Sequence, residues 1–170
     1  MSFLDLAKKR YSCRKISSRA VEDEKLQKIL EAANLAPTAV NKQPLHIWLL
    51  ESSEAMAKVA QTTPYIFGAP VAFVVGSKAE DAFVRASDKK NFADIDASIV
   101  ATHMMLAIED LGLATTWVGH FDAPKLKELF PEMADYELVA IFPVGYAAED
   151  AAPSARHSER IGIEALTDRL

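Results

Sequence analysis

Residues 94–119, DIDASIVATHMMLAIEDLGLATTWVG, contain the strongest structural signal in this sequence. From 94 to 111 apolar side chains point in nearly every direction around a helical axis, and Gly112 is placed to cap the helix at its C-terminus. Residues 114–118 are predicted to form a strand. A helix that is apolar all round must be buried all round. We therefore expect a long helix that is covered by a sheet on one side and by further protein on the other.

The cover on the second side of this helix has two explanations. In a domain of this size one sheet face covers only one side of a helix, so a second copy of the chain is the simplest partner for the other side. The alternative is a central helix that is buried within a single protomer. We favour the dimer, in which the long helix lies at the interface.

The rest of the chain alternates predicted helices with short apolar strands. Helices are predicted at 3–9, 22–36, 53–61 and 124–130. Strands are predicted at 46–50, 71–75 and 138–144. This order predicts a sheet covered by helices, with connections long enough to permit parallel strand pairs. Residues 79–91 are charged and poorly patterned and are predicted to be a mobile surface segment, and from Ala147 a polar arm is expected to leave the globule.

Composition limits the classes of function. The sequence contains 170 residues, half of them hydrophobic and a quarter charged, which is typical of one globular domain. The net charge of −5 disfavours general binding to nucleic acid or to an anionic membrane. No apolar run approaches the ~20 residues of a membrane span, and the first residues lack the apolar core of a signal peptide. We expect a cytoplasmic protein.

Several common catalytic motifs are absent from the sequence. The six glycines never form GxG, so neither the dinucleotide fingerprint nor a P-loop is present. GxSxG and HExxH are absent too, and the four histidines are scattered, so no metal site is expected. The single cysteine, Cys13, rules out an internal disulfide, and we interpret it as a small packing residue rather than a redox thiol. An enzyme of this sequence would rely on a bound organic cofactor.

Basic residues gather near the N-terminus, against the acidic net charge. They are Lys8, Lys9, Arg10, Arg14, Lys15 and Arg19. Arg10, Ser12 and Arg14 alternate, and in an extended loop such residues project to one side. Two guanidinium groups and a hydroxyl facing the same way suit a phosphate or an anionic ring edge. The alternative is a solvated basic loop.

Polar groups in the loop after the second helix suggest recognition of a ring. The Asn41 and Gln43 amides, with Thr38 nearby, can donate and accept hydrogen bonds along the edge of a heteroaromatic ring, although ordinary turn chemistry is the alternative. Main-chain N–H groups at 117–120 could face a ligand, because Gly119 has no side chain. Residues 143–146 are interpreted as a second strand end of this type. Together with positive charge from Arg156 and Arg160, these groups suggest a flat cofactor that bears a phosphate.

Four segments, in order along the chain, resemble the nitroreductase family of flavin-dependent NAD(P)H oxidoreductases. They are 10–14 (RYSCR), 36–44 (APTAVNKQP), 104–119 (MMLAIEDLGLATTWVG) and 142–146 (FPVGY). The resemblance implies an α+β fold with a central sheet flanked by helices, and homodimers that bind FMN at the subunit interface. Residues 1–150 would form the FMN-binding domain, and residues 151–170 a C-terminal arm of the same domain that packs on the partner subunit.

The resemblance also implies which residues hold the FMN. They would be Arg10, Ser12, Arg14, Thr38, Asn41, Gln43, Trp117, Val118, Gly119 and Arg160. The first three would contact the phosphate, the ribityl chain and the pyrimidine edge, and Arg160 would close on the phosphate. The loop residues 38–43 would come from the other subunit, with Asn41 nearest the ring. Residues 117–120 would run past the ring, with a main-chain N–H near N5.

The implied reaction moves a hydride from NADH or NADPH through the flavin to an organic acceptor, such as a nitroaromatic or a quinone, by a ping-pong mechanism. No side-chain acid or nucleophile is needed, which agrees with the missing motifs. Arg14 is our first candidate for stabilising the reduced flavin and Lys42 the second. The alternatives are a flavin-binding or storage protein without turnover, a scaffold that no longer binds flavin, and a specialised member that acts on one metabolite, such as a dehalogenase or a flavin-destroying enzyme.

Three features depart from the family pattern. The segment between 75 and 94 is short compared with larger members, in which an insert covers the substrate. Gly119 stands where some members carry an acidic residue, although only its main chain is needed there. The arm after Tyr146 matches the family least well.

Overall fold

A five-stranded antiparallel sheet forms the centre of the molecule in a computed structural model that describes residues 2–170. The strands are β1 (Ile16–Ser17), β2 (Leu45–Leu50), β3 (Val71–Ser77), β4 (Ala114–Thr115) and β5 (Glu137–Ala147). The helices are α1 (Phe3–Lys9), α2 (Asp23–Asn34), α3 (Ser53–Val59), α4 (Ala93–Asp110), α5 (Ala123–Leu129) and α6 (Ile163–Leu166). Short 3-10 turns lie at Ala39–Asn41, Pro131–Met133 and Ala155–Ser158.

The long strand β5 organises the sheet. The strand order is β1-β5-β3-β2, and β4 pairs with β5 as well. The lengths of the connections would permit parallel strand pairs. All pairings between the named strands are antiparallel instead. β5 is also longer than the predicted 138–144, since its last residues pair with β4 and β1.

Helices cover both faces of the sheet. Along β3 the side chains of Val71, Phe73 and Val75 enter the core shared with α2 and α4, while Ala72 and Val74 enter the core shared with α3 and α5. Every residue of β3 is buried, which explains its continuous apolar sequence. The fold is therefore α+β with three layers, as expected.

The long helix predicted from 94 to 111 is α4. The stripe that it turns to the core includes Ala97, Met104 and Ile108, all with no exposed surface. The opposite side is less covered, and Ile95 is 36% exposed. The sequence predicted a helix that is buried on all sides. Within a single protomer, α4 is buried on one side only.

Gly112 ends α4 as predicted. Its φ of 71° is left-handed, Leu113 N–H donates to the Ile108 carbonyl at 3.0 Å, and Gly112 N–H donates to the Glu109 carbonyl at 3.0 Å. This pair of hydrogen bonds is the Schellman motif. It turns the chain directly into β4, which ends at Thr115 rather than at 118, although Val118 still forms an isolated bridge with Ile141.

Residues 79–91, expected to be a mobile surface segment, are mostly exposed and contain a hydrogen-bonded turn that was not predicted. Val84 and Asn91 form an antiparallel bridge, and Phe92 N–H donates to the Phe83 carbonyl at 3.0 Å. The charged side chains that obscured this pattern pair within the turn, as Arg85 does with Asp88. Among residues 2–170, no helix is both long enough and apolar enough to cross a membrane.

Candidate functional site

A cavity of about 230 Å³ brings both ends of the chain together; we call it the arginine cavity. Its lining residues are Arg10, Tyr11, Ser12, Arg14, Ser154, Arg156, His157 and Arg160. The three predicted residues of the N-terminal loop and the two predicted arginines of the C-terminal arm thus share one cavity. Four of the lining side chains are arginines and none is acidic, in a protein of net charge −5.

Hydrogen bonds to β4 and to the loop before β3 fix the N-terminal loop. Cys13 N–H donates to the Thr115 carbonyl at 2.9 Å, and Ile16 N–H donates to the Phe67 carbonyl at 3.0 Å. Cys13 is 1% exposed, and its thiol donates to the Lys15 carbonyl at 3.2 Å. Cys13 therefore packs inward, as expected, and its neighbours in the alternating loop turn outward to the cavity.

The four arginines of the cavity lack carboxylate partners within residues 2–170. Arg14 and Arg160 donate only to nearby main-chain carbonyls. Two lysines of the same region differ, since Lys9 pairs with Glu109 at 3.2 Å and Lys15 with Asp150 at 2.5 Å. The guanidinium groups that line the cavity thus keep no carboxylate partner among the described residues, and such groups suit a phosphate.

Tyr11 also lines the arginine cavity. Burial, together with the Cys13 thiol and the Glu109 carboxylate, raises the pKa of Tyr11 to about 12. The phenol therefore stays protonated near neutral pH and can donate a hydrogen bond. Its ring lies edge-on to that of His157, with 6.3 Å between centroids, and His157 Nε2 is 3.3 Å from the Lys8 carbonyl. These contacts tie the arm to the N-terminal helix.

A second cavity, of about 170 Å³, adjoins Arg14 and has aromatic walls; we call it the aromatic cavity. It is lined by Arg14, Tyr65, Phe67, Thr116, Trp117, Val118, Gly119 and His120. Arg14 belongs to both cavities. A Cβ built on Gly119 would meet no atom within 4 Å, so the chain there borders open space. The predicted main-chain run 117–120 therefore faces a cavity.

Two buried threonines hold the aromatic wall in place. Thr63 Oγ1 donates to the His120 carbonyl at 2.8 Å, and Asp122 N–H donates to the Thr62 carbonyl at 2.9 Å. The loop that carries Tyr65 is thereby fixed to the loop that carries His120. Their rings lie edge to face, with 5.8 Å between centroids.

The predicted loop residues 38–43 lie elsewhere in the protomer. Thr38 and Gln43 line a third cavity, of about 290 Å³, formed with residues of α2, β2 and α4. Asn41 is exposed, as is Lys42. Neither the arginine cavity nor the aromatic cavity includes any of these residues. One protomer therefore assembles only part of the predicted set.

One interpretation was wrong and two residues were missed. Residues 143–146 are not a strand end but lie inside β5, where a Cβ on Gly145 would come within 2.6 Å of Ile16 Cγ2. The absence of a side chain at Gly145 thus allows β1 to pack close to β5. Tyr65 and Phe67 were not among the predicted site residues. Their alternation between Pro64 and Gly68 is a signal that could have indicated an aromatic wall.

Comparison with known proteins identifies the family. The sequence model of the nitroreductase family matches residues 7–63 and 61–146. A Methanothermobacter thermautotrophicus protein, whose name assigns it to the NADH dehydrogenase/NAD(P)H nitroreductase class, is 30% identical over 157 residues, covering 88% of this chain and 80% of its own. This chain belongs to the nitroreductase family, as the sequence predicted.

Solved structures agree with this result. A nitroreductase family protein from Clostridium difficile 630 superposes with a TM-score of 0.91 at 37% identity, covering 99% of this chain and 98% of its own. A Desulfovibrio desulfuricans protein, described as a nitroreductase in complex with FMN, gives a TM-score of 0.81 at 26% identity, covering 98% and 96%. The predicted fold class is confirmed.

Proposed function

We propose that this protein is an FMN-dependent oxidoreductase that moves a hydride from NADH or NADPH to an organic acceptor, such as a nitroaromatic or a quinone. The observation that carries the proposal is the arginine cavity, with four guanidinium groups unpaired within the described chain, next to an aromatic cavity that shares Arg14. Membership of the family, the names of the relatives and the FMN-bound relative support it.

The residues of the two cavities fit the chemistry of FMN. Arg10 and Arg160, with Ser12, would hold the phosphate through charge-assisted hydrogen bonds. Arg14 would reach the ring edge, because it lines the space between the arginines and the aromatic wall. Trp117, Val118 and Gly119 offer a main-chain edge beside open space, against which a flat ring can lie.

In this proposal, bound FMN supplies the centre that accepts and donates the hydride. The protein contributes positioning and electrostatics. Arg14 stabilises negative charge at the pyrimidine edge, and Lys42 of a second copy is the next candidate. The open space beside Gly119 admits nicotinamide and acceptor in turn, which is the ping-pong order.

We further propose that the working unit is a homodimer. Thr38, Asn41 and Gln43 lie outside the arginine and aromatic cavities of their own protomer, so a second copy would bring them to the ring. The less covered side of α4, with Ile95 exposed, supplies an apolar face for that copy. The arm 151–170 would pack on the partner through apolar side chains that are exposed here. They are Ile161, Ile163 and Leu166, at 68%, 76% and 66% exposure.

The test begins with the absorbance spectrum of the purified protein, followed by anaerobic titration with NADH and with NADPH. We expect a flavin spectrum that bleaches, and steady-state turnover with a quinone or a nitroarene. The double substitution Arg10→Ala with Arg160→Ala should weaken FMN binding roughly hundredfold, because it removes two charge-assisted contacts. Arg85→Ala is the control, since Arg85 pairs with Asp88 and lines none of the three cavities.

The same experiment separates the alternatives. Bound flavin without turnover would identify a flavin-binding or storage protein. Turnover confined to one acceptor in a chemical panel would identify a specialised member. A protein that binds no FMN, or a double variant that binds it as tightly as the parent, would overturn the proposal.

A further inference from the structure

The turn that carries Thr38, Asn41 and Gln43 has a strained backbone. Val40, Asn41 and Gln43 have φ angles of 47°, 55° and 51°. This left-handed region is unfavourable for residues with a Cβ, and most of all for a β-branched residue such as Val40. Such a turn persists only where its surroundings hold it. The Val40 side chain is 70% exposed, so its packing does not supply the restraint.

Most hydrogen bonds of the turn close it onto itself. Gln43 N–H donates to Thr38 Oγ1 at 3.0 Å, Asn41 N–H donates to the Thr38 carbonyl at 3.0 Å, and Gln43 Nε2 donates to Asn41 Oδ1 at 3.1 Å. Within the described chain, one hydrogen bond joins residues 38–43 to a distant element. It runs from Ala39 N–H to Asp96 Oδ1 on α4, at 2.9 Å.

Asp96 is an unusual residue for the core. It is 1% exposed, and its second carboxylate oxygen, Oδ2, has no hydrogen-bond partner among residues 2–170. A buried polar atom without a partner costs stability, so this carboxylate is a poor choice for packing alone. Asp94, two residues earlier and on the opposite, exposed side of α4, has an ordinary role, since its Oδ1 accepts from Ser77 Oγ at 2.5 Å.

We propose that Asp96 is a positioning residue for the cofactor site. Through the Ala39 N–H it anchors the strained turn to α4, so that Thr38, Asn41 and Gln43 are presented in one arrangement. This inference rests on the proposed function, in which these three side chains lie along the flavin. It links the helix of the proposed dimer interface to the loop that would serve the partner's cofactor.

The first test is amide hydrogen exchange of residues 38–43 in protein from which any flavin has been removed. Asp96→Ala should raise exchange there about tenfold, because the turn loses a hydrogen bond to a charged acceptor. Asp96→Leu should give the same increase in exchange, because leucine fills the space of the aspartate side chain without restoring a hydrogen-bond acceptor. This variant replaces Asp96→Ala if the alanine variant folds poorly. Asp96→Asn keeps an acceptor at Oδ1 and should retain slow exchange. Asp94→Ala is the matched control and should leave the turn unchanged.

The second test is FMN affinity with the same variants. We expect Asp96→Ala and Asp96→Leu to raise the FMN dissociation constant about tenfold, while Asp96→Asn and Asp94→Ala stay within twofold of the parent. Unchanged exchange in both Asp96→Ala and Asp96→Leu, or equal loosening by Asp94→Ala, would overturn the anchoring role. A parent protein that binds no FMN would instead overturn the proposed function, and the exchange result would still decide whether Asp96 anchors the turn.

Discussion

Arg14 lies at the junction of the two cavities that we assign to the cofactor. Its guanidinium makes one long hydrogen bond, of 3.3 Å, to the Ser12 carbonyl and no ion pair among the described residues. Its neighbour Lys15 is already paired with Asp150 at 2.5 Å. Two cations one position apart therefore have different tasks: Lys15 ties the loop to the region after β5, and Arg14 remains available to a ligand.

We expect Arg14→Ala to lower flavin occupancy and the rate of flavin reduction. Loss of a charge-assisted contact costs about 1.5–3 kcal/mol, which is roughly a tenfold to hundredfold increase in the FMN dissociation constant. Fluorescence titration and stopped-flow reduction would measure the two effects. Lys15→Ala is the matched control and should change FMN affinity little. An Arg14→Ala protein that stays yellow and fully active would refute the role.

Among the site residues, the sequence predicted best those whose direction depends only on the local backbone. The alternation of Arg10, Ser12 and Arg14 is a property of extended backbone, so it could be read without a structure. The approach of Arg160 depends on how the arm folds back. Its charge suggested a role with a phosphate, but only the family resemblance indicated that it closes on the same site as Arg10. Tyr65 was missed because the partner that fixes it, His120, is distant in sequence.

Among the elements, α4 depends most clearly on one residue at its end. Gly112 adopts a φ of 71°, and a Cβ there would meet no atom within 4 Å. A substitution would therefore act through the backbone conformation alone. This cap also directs the chain into β4 and then to Trp117. The conformation of Gly112 therefore affects the position of one wall of the aromatic cavity.

Gly112→Ala should lower the free energy of unfolding by about 1 kcal/mol, since alanine is disfavoured in the left-handed region. Gly119→Ala is the control: its Cβ also meets no atom within 4 Å, and its φ is not left-handed, so we expect a change within about 0.5 kcal/mol. Urea denaturation of both variants measures the difference. Equal destabilisation by the two substitutions would contradict the explanation.

Most helices were predicted closely, whether long or short, but the two-residue strand β1 was missed. The helix predicted at 94–111 is observed at Ala93–Asp110, because a repeating apolar pattern over several turns reports burial directly. β1 contains two residues and exists only through its pairing with β5, so no local pattern could reveal it. The ordered turn within 79–91 was hidden in the same way, since ion pairs and a single bridge hold it together.

For the whole molecule, the uncovered side of α4 and the exposed apolar side chains of the arm need a common explanation. On α4 a stripe of apolar side chains, Ile95, Ile99 and Leu106, keeps exposed surface between polar residues. This stripe and the apolar side chains of the arm are both costly to leave in water. A second copy would cover both surfaces in one symmetric contact. The homodimer stays a prediction, and it would also bring the 38–43 turn to the cofactor.

Ile95→Glu tests this assembly. An acidic residue in the first turn of α4 is compatible with the helix dipole, so the protomer should still fold. A charge buried in a symmetric interface occurs twice, and we expect the dimer dissociation constant to rise roughly hundredfold. Ala57→Glu on the exposed side of α3 is the control. Sedimentation measurements in which the parent is a monomer, or in which Ile95→Glu associates normally, would rule out this interface.

The arginine cavity has a consequence for the order of folding. Its walls come from residues 10–14 and from residues 154–160, which are separated in sequence by almost the whole fold. No strand of the sheet includes a residue of either segment, so the sheet can form before the two segments meet. Under the proposed function, a chain cut before Ser154 would keep the strands of the sheet but lose two of the four arginines of the cavity.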